Sequence, residues 1–273
     1  MPQEAQKSEG RESDPRAPHP RIKIMRKTQL ASFGTGLSVA LYGASGGIGT
    51  ALREALLADP AVERVFAFSR RSHFPAHEKL TAIATDIRRE EMIADGAALM
   101  RAEGPLHLVL VASGILHSDD VRPEKSWRQI EAGAMEEVLR VNTLAPALIA
   151  KHTLPLLARG RKSCFAALSA RIGSISDNKL GGWHAYRASK AALNMLIRTF
   201  AIELARKNEE ALTLALHPGT VDTALSAPFQ RGLPEGQVQS PEETARHLLK
   251  VIDEKGPGES GRCFAFDGTE IAP

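Results

Sequence analysis

Short apolar runs alternate with longer amphipathic stretches from about residue 37 to the end of the chain. The apolar runs predict strands at 37–43, 63–69, 80–86, 106–113, 163–169, 211–217 and 261–267. Helical patterns lie between them at 47–58, 88–102, 132–158, 184–207 and 241–254. Runs such as HLVLVA are continuously apolar, which is typical of parallel strands covered on both faces. The pattern therefore predicts an α/β fold: a single-domain, Rossmann-type doubly wound parallel sheet of about seven strands with helices on both faces.

The first part of the chain differs in composition. Residues 1–28 carry seven basic and four acidic side chains, an excess that equals the net charge of +3 for the whole chain. Apolar residues are scarce there, so we predict a disordered tail over 1–30 and a single domain over 37–270. The rest of the chain is balanced in charge, and we expect no nucleic-acid partner.

The overall composition, 43% hydrophobic and 25% charged, is typical of a soluble globular protein. No apolar run approaches the roughly 18–20 residues that span a bilayer, and the polar, proline-containing start does not resemble a secretory signal. Cys164 and Cys263 lie far apart in apolar stretches and are expected to be reduced thiols. We therefore expect a cytoplasmic protein without a membrane partner. His73 and His77 are separated by a proline, which favours a solvated loop over a metal site.

A glycine-rich turn follows the first predicted strand. Gly43, Gly47 and Gly49 stand between that strand and an amphipathic helix. Glycines at such a turn let backbone N–H groups approach a pyrophosphate, which the helix N-terminus also attracts. Small-residue turns are common, but the position on the first strand of a β/α series favours a dinucleotide.

The end of the second predicted strand distinguishes between two dinucleotides. NAD sites usually place a carboxylate there for the ribose 2′-hydroxyl, whereas NADP sites place a cation for the 2′-phosphate. This chain has Ser69, Arg70 and Arg71 and no acidic residue from 66 to 74. Solvated loop arginines are the alternative; with the glycine turn, the sequence favours NADP(H) over NAD(H).

Tyr186, one of two tyrosines in the chain, precedes Lys190 by four residues. On a helix the two side chains project from nearly the same face. A nearby ammonium lowers the pKa of a phenol, which suits a proton donor near neutral pH. The alternative is an amphipathic helix with a surface lysine and a half-buried tyrosine.

Taken in order, these motifs resemble the short-chain dehydrogenase/reductase family over nearly all of residues 37–267. The further matching motifs are ASG after the fourth strand, VNTLAP, YRASK and PGTVDT. The segment GSISDNKLGGWHAYRASKAALNM and the ending GRCFAFDGTEI are most similar to the branch of C-factor and sniffer-type carbonyl reductases.

The resemblance implies a set of cofactor-binding positions. The cofactor phosphates and ribose would be lined by Gly43, Ser45, Gly47, Ile48 and Gly49. The 2′-phosphate would be met by Ser69 and Arg70, and the adenine by Asp86 and Ile87. The positions of the family's Asn-Ala-Gly are Ala112, Ser113 and Gly114, with alanine in place of asparagine. The nicotinamide carboxamide would be held by Pro218, Gly219, Val221 and Thr223.

The resemblance also implies the chemistry, an NADPH-dependent reduction of an aldehyde or ketone. Tyr186 would give a proton to the oxygen of a small carbonyl substrate while NADPH gives a hydride to its carbon. Lys190 would bind the nicotinamide ribose, and Asn142 would hold the water and backbone that connect Lys190 to solvent.

One family position departs from the pattern. In the family, a serine at this position normally hydrogen-bonds the reacting oxygen. This chain has Ala170 there, preceded by Ser169. Loss of such a donor typically costs about 3 kcal/mol, or a hundredfold or more in rate. Ser174 is therefore predicted as a replacement catalytic donor. The alternative is a weakly active or inactive nucleotide-binding protein with a regulatory or signalling role.

Two further regions bear on function. Residues 227–243 are rich in Pro, Gly and polar residues, and the resemblance implies a mobile lid over the substrate, with an inert loop as the alternative. The long apolar helical patterns at 132–158 and 184–207 fit either packing against the sheet or pairing of subunits in a homodimer or homotetramer.

Overall fold

The structure, a computed structural model, describes residues 27–71, 73–234 and 236–273. Most of the predicted tail therefore lies outside the described residues. At its end Leu30 is fully buried, and the Gln29 backbone N–H donates to the Asp59 carboxylate at 2.8 Å. The ordered domain thus begins before residue 30.

Strands and helices alternate as predicted. The strands are β1 (Leu37–Tyr42), β2 (Val62–Ser69), β3 (Leu80–Ala84), β4 (Leu108–Val111), β5 (Ser163–Leu168), β6 (Ala211–His217), β7 (Thr220–Val221), β8 (Val238–Gln239), β9 (Arg262–Ala265) and β10 (Glu270–Ile271). The α-helices are α1 (Gly47–Ala58), α2 (Glu90–Ala102), α3 (Ala132–Leu139), α4 (Ala145–Thr153), α5 (His184–Ala205) and α6 (Pro241–Glu254).

The main sheet has eight strands in the order β3-β2-β1-β4-β5-β6-β9-β10. Seven are parallel, and the two-residue β10 adds antiparallel to β9. Strand β1 lies between β2 and β4, so the strand order reverses direction there, and ligands of open α/β sheets bind at such a switch point. The predicted doubly wound sheet is confirmed, and its carboxyl edge at β1 and β4 is where the site is expected.

Helices cover both faces of the sheet. Successive residues of a strand point to opposite faces, so β1 sends Val39 and Leu41 to one core and Ala40 and Tyr42 to the other. The first core contains apolar side chains of α1 and α6, and the second those of α2, α4 and α5. Among the described residues, no helix is both long and apolar enough to cross a membrane.

The segment predicted as one helix over 132–158 is broken. Helix α3 passes into a π-helical turn at Arg140–Leu144 before α4 begins at Ala145. Pro146, in the first turn of α4, has no N–H to continue the preceding hydrogen-bond ladder. Single π turns inside α-helices are frequent at functional sites, and this one carries Asn142.

Candidate active site

The turn after β1 is closed by glycines that no other residue can replace. Gly43 has φ 84°, and a Cβ there would lie 2.7 Å from the Ser113 backbone N. A Cβ at Gly49 would lie 2.0 Å from the carbonyl oxygen of Gly43. The turn therefore packs directly against the end of β4 and against the first turn of α1.

Helix α1 begins at this turn without a side-chain cap. Its N-cap residue is Gly46, and Ser45, Gly46 and Gly47 are exposed. Backbone N–H groups of an uncapped first turn, together with the helix dipole, favour an anion. A Cβ at Gly47 would lie 2.5 Å from Thr223 Cγ2, so the loop after β6 faces the turn across a narrow gap. These groups fit the pyrophosphate of a dinucleotide.

At the end of β2 the chain turns on Ser69. The buried Ser69 hydroxyl accepts a hydrogen bond from the Arg71 N–H at 3.0 Å and donates to the Arg71 carbonyl. Arg70 and Arg71 are both exposed next to this turn. The structure thus places two guanidinium-bearing residues, and no carboxylate, directly after β2.

Arg53, on α1, is a residue that the sequence reasoning missed. It is only 7% exposed, its Nη1 donates to the Ala44 carbonyl at 3.0 Å, and its guanidinium lies 4.6 Å from the centre of the Phe74 ring. It ties the glycine turn to the segment after β2 that carries the arginines. The signal was present, because Arg53 shares the apolar face of α1 with Leu52 and Leu56.

The predicted adenine-binding residues follow β3. The half-buried Asp86 accepts a hydrogen bond from the Arg88 N–H at 3.0 Å, and Ile87 packs against the second core. Both lie on the β2–β3 side of the switch point, on the same side as Ser69.

After β4 the chain passes through Ala112, Ser113 and Gly114. The Ser113 hydroxyl is buried and has no hydrogen-bond partner among the described residues. A Cβ at Gly114 would lie 3.4 Å from Asn142 Oδ1 and 3.7 Å from Lys190 Nζ. This segment is where the turn of β1 meets the predicted catalytic residues.

Asn142 is fully buried at the π-helical turn. Its Oδ1 accepts from the Ile115 N–H at 2.8 Å, and its Nδ2 donates to the Ile115 carbonyl at 2.8 Å and to Ser189 Oγ at 3.1 Å. The amide therefore clamps the segment after β4 to helix α5.

Tyr186 and Lys190 lie one turn apart on α5, as predicted. Lys190 is buried, its Nζ donates to the Leu168 carbonyl at 2.8 Å, and it lies 5.6 Å from the centre of the Tyr186 ring. Burial raises the pKa of Tyr186 to about 12 and lowers the pKa of Lys190 to about 8. The expected downward shift of the phenol pKa is thus wrong for the protein alone, because loss of solvation raises this pKa.

The three candidate positions for the oxyanion donor separate clearly. Ser169 Oγ donates to Asn194 Oδ1 at 2.6 Å. Ser174 is buried, accepts from the Asp177 N–H at 3.1 Å and lies 3.4 Å from the Pro273 carbonyl oxygen. Its hydrogen bonds are therefore made to neighbours in its own loop and to residue 273, not to Tyr186, which weakens its case as a replacement donor. Ala170, half-buried at the family position, has no hydroxyl to offer.

The loop after β6 holds the remaining predicted cofactor residues. Pro218 and Gly219 precede β7, Val221 is buried in it, and Thr223 follows it. Gly219 has φ 78°, and a Cβ there would lie 2.6 Å from Gln239 Nε2. Strands β7 and β8 pair. The second half of the predicted lid, residues 227–243, is therefore held in place by β8 and by the start of α6.

Metal ligation finds no support in the part of the chain that the structure describes. No group of three or more His, Cys, Asp or Glu side chains is placed to hold an ion there. His77 Nδ1 accepts from the Lys79 N–H at 3.1 Å, a local turn contact.

Comparison with known proteins gives the family. The statistical description of the short chain dehydrogenase family matches residues 38–233. The C-signal protein of Myxococcus xanthus is 36% identical over 142 residues, covering 52% of this chain and 80% of that protein. The 1-hydroxy-2-glutathionyl-2-methyl-3-butene dehydrogenase of Rhodococcus sp. (strain AD45) is 32% identical over 185 residues, covering 67% of this chain and 76% of that protein.

Solved structures give the same answer. The NADPH-bound carbonyl reductase from chicken fatty liver superposes with a TM-score of 0.76 at 27% identity, covering 88% of this chain and 100% of that one. The carbonyl reductase Sniffer of D. melanogaster has a TM-score of 0.76 at 22% identity, covering 87% and 100%, and shows the fold alone. The chain therefore belongs to the short-chain dehydrogenase family of NAD(P)-dependent oxidoreductases, which confirms the resemblance of its motifs.

Proposed function

We propose that the protein is an NADPH-dependent reductase of aldehydes or ketones. The observation that carries the proposal is the position of Lys190 and Asn142 beside Gly114, just after β4, with Tyr186 next to Lys190. The glycine turn of β1 lies at the same carboxyl edge of the sheet. A nicotinamide cofactor held between them would supply hydride to a carbonyl carbon.

The protein's own part in the reaction is to hold and move a proton. The Tyr186 phenol is protonated over the whole neutral range because burial raises its pKa to about 12, so it is ready to donate to a carbonyl oxygen. Lys190, with a pKa lowered to about 8, exchanges protons readily near neutral pH and lies next to that phenol. Asn142 fixes the backbone at residue 115, next to Gly114, which faces Lys190.

We further propose a preference for NADP(H) over NAD(H). Arg70 and Arg71 follow β2, where an NAD-dependent enzyme usually has a carboxylate, and the buried Arg53 braces the same corner. Guanidinium groups suit a 2′-phosphate because they donate paired hydrogen bonds. The similar chicken carbonyl reductase was solved with NADPH bound, which supports this assignment.

A second function is favoured by one specific observation, the alanine at position 170. A short-chain dehydrogenase that lacks this hydroxyl while keeping the nucleotide site fits a regulatory or signalling protein with little turnover. The similarity to the Myxococcus xanthus protein named C-signal supports this alternative.

The proposed setting is the cytoplasm, since Cys164 and Cys263 are buried free thiols. A homodimer or homotetramer is proposed from the apolar side chains that α5 exposes, Met195 and Ile202. Size-exclusion chromatography with light scattering tests the assembly, and a monomer at micromolar concentration would contradict it.

The experiment that decides between the two functions is NADPH oxidation with a panel of aldehydes and ketones. We expect turnover with at least part of the panel, and less with NADH. Tight NADPH binding without oxidation of any member would favour the regulatory protein instead.

A further inference from the structure

Trp183 adopts a backbone conformation that tryptophan rarely takes. It is the N-cap residue of α5 with φ 53° and ψ 44°, in the left-handed region. Among the described residues it is the only one besides glycine with a positive φ. Such a conformation costs free energy in a residue with a Cβ, and glycine would adopt it freely.

The strained backbone at Trp183 is held by hydrogen bonds to Glu124. The Trp183 N–H donates to the Glu124 carbonyl at 2.6 Å, and the Glu124 carboxylate accepts from the Ala185 N–H at 3.2 Å. Glu124 is buried, so this clamp lies in the packed interior of the domain. It fixes the direction in which the indole leaves the helix.

The indole contacts the ring of Tyr186, the predicted proton donor. The ring centres of Trp183 and Tyr186 are 6.3 Å apart at 72°, an edge-to-face arrangement. The Trp183 ring centre also lies 4.9 Å from that of Phe229, in the segment predicted as a lid. Phe229 in turn contacts His117, whose Nε2 lies 3.1 Å from the Leu225 carbonyl oxygen.

These rings come from three separate segments and are only half-buried, unlike the core aromatics. Trp183 and Phe229 together form a continuous apolar wall that leads from Tyr186 to the lid. Flat apolar rings pack against such a wall in offset or edge-to-face geometry, with a gain beyond simple burial. A saturated short chain has no face to present to it.

We propose that Trp183 and Phe229 form the substrate-binding wall of this site, and that it selects carbonyl compounds carrying an aromatic ring next to the reacting carbon. His117 contacts Phe229 edge to face. The inference rests on the proposed carbonyl reduction at Tyr186 and names its substrate class.

The test compares benzaldehyde with propanal, with NADPH, in the wild type and in Trp183→Gly and Phe229→Ala. We expect the wild type to prefer benzaldehyde, and each variant to lose about tenfold of the benzaldehyde-to-propanal ratio of kcat/KM, mainly through KM. Trp183→Gly removes the ring and relieves the backbone at once. Trp183→Ala removes the ring but keeps the strain, so its lower melting temperature separates folding from selectivity.

Trp127→Gly is the matched control, because Trp127 is 68% exposed on the surface and we expect the ratio to stay unchanged. An equal fall for both aldehydes in Trp183→Gly, or no preference in the wild type, would mean that the rings merely hold the lid and would overturn the inference.

A second readout does not depend on turnover. In a Trp127→Phe background Trp183 is the sole tryptophan, since the chain has two. Benzamide, a non-reducible analogue, is expected to change the fluorescence of the NADP-loaded protein at concentrations where propanamide does not. Absence of NADPH oxidation with this response retained would remove the proposed reductase but keep the wall. Absence of the response with turnover retained would do the reverse.

Discussion

Tyr186 and Tyr42 are the two tyrosines of the chain, and their surroundings differ in a way that separates chemistry from packing. Tyr42 is fully buried in β1, stacks on Phe68 at 4.1 Å, and has a hydroxyl without a partner among the described residues. Tyr186 is half-buried at the mouth of the site, beside Lys190. Only the second phenol fits the proposed role of proton donor to a ligand.

Tyr186→Phe is therefore expected to reduce NADPH-dependent carbonyl turnover by a factor of a hundred or more (~10²–10⁴ for a general acid). NADPH oxidation under saturating substrate measures it. Tyr42→Phe is the control: it removes an unpartnered hydroxyl and should leave turnover and melting temperature unchanged or slightly higher. Wild-type turnover in Tyr186→Phe would remove the proposed proton donor.

The hydrogen-bond donor to the reacting oxygen can be located by substitutions at positions 170 and 174. Ala170→Ser restores a hydroxyl at the family position and is expected to raise kcat by about a hundredfold, because one oriented donor contributes about 3 kcal/mol. Ser174→Ala is expected to leave kcat unchanged, since the Ser174 hydroxyl bonds with its own loop and lies near residue 273. The opposite pair of results, with no gain in the first and inactivation in the second, would place the donor at Ser174.

Lys190 makes a prediction about stability and pH. Its pKa is about 8 in the folded protein, against an ordinary value of 10.5, because burial disfavours the ammonium. Below pH 8 both the folded and the unfolded chain carry the proton, and the folded chain then bears the full cost of a buried charge. Between about pH 8 and 10.5 the unfolded chain holds more protons, so the stability of the cofactor-free protein rises with pH.

Lys190→Met removes that cost together with one hydrogen bond to the Leu168 carbonyl. We expect a net gain of about 1–2 kcal/mol in the free energy of unfolding at pH 7 and no gain near pH 10.5. We also expect the variant to lose turnover. Urea unfolding of both proteins at the two pH values measures it. A variant that is less stable at pH 7 would show that the ammonium is well solvated.

At the scale of elements, α5 carries the proposed proton donor, and its first turn is capped from outside the helix. Its N-cap residue, Trp183, gives no side-chain cap, and the buried Glu124 carboxylate accepts the Ala185 N–H instead. A carboxylate at a helix N-terminus also interacts favourably with the helix dipole.

Glu124→Ala is accordingly expected to lower the free energy of unfolding by about 1–2 kcal/mol, and Glu124→Gln by less, because the amide oxygen still accepts a hydrogen bond. Thermal unfolding of both variants checks the order. The exposed Glu131, N-cap residue of α3 without a side-chain cap bond, is the matched control, and Glu131→Ala should have little effect. Equal melting temperatures for all three variants would contradict the cap.

The elements also show how far local patterns reach. Continuous apolar runs and amphipathic patterns predicted the seven longer strands and four of the six helices, whereas the two-residue strands β7, β8 and β10 were missed and α3 and α4 were predicted as one helix. The π-helical turn at Asn142 escaped prediction because it depends on tertiary hydrogen bonds to Ile115 and Ser189. Likewise, motifs predicted Tyr186 and Lys190, but the wall of Trp183 and Phe229 joins residues far apart in sequence, which no local pattern connects. The direction of the Tyr186 pKa shift was missed because it depends on burial in the folded site.

At the scale of the molecule, a dinucleotide would join the two halves of the sheet. The turn of β1 and the residues after β2 lie on one side of the switch point, and the loop after β6 and helix α5 lie on the other. A ligand that contacts both sides binds only the folded state, so at a given concentration it raises the melting temperature by an amount that grows with the logarithm of its affinity.

NADPH is thus expected to raise the melting temperature more than NADH at the same concentration. The difference should shrink in Arg70→Ser, because the 2′-phosphate loses a charge-assisted partner worth about 1.5–3 kcal/mol, or about tenfold or more in affinity. Arg206→Ser, at an exposed arginine after α5, serves as the control and should leave both shifts unchanged. Because the measurement needs no substrate, it applies equally to a reductase and to a nucleotide-binding regulator. Equal shifts for NADPH and NADH in the wild type would assign the exposed arginines after β2 to solvent and remove the proposed cofactor preference.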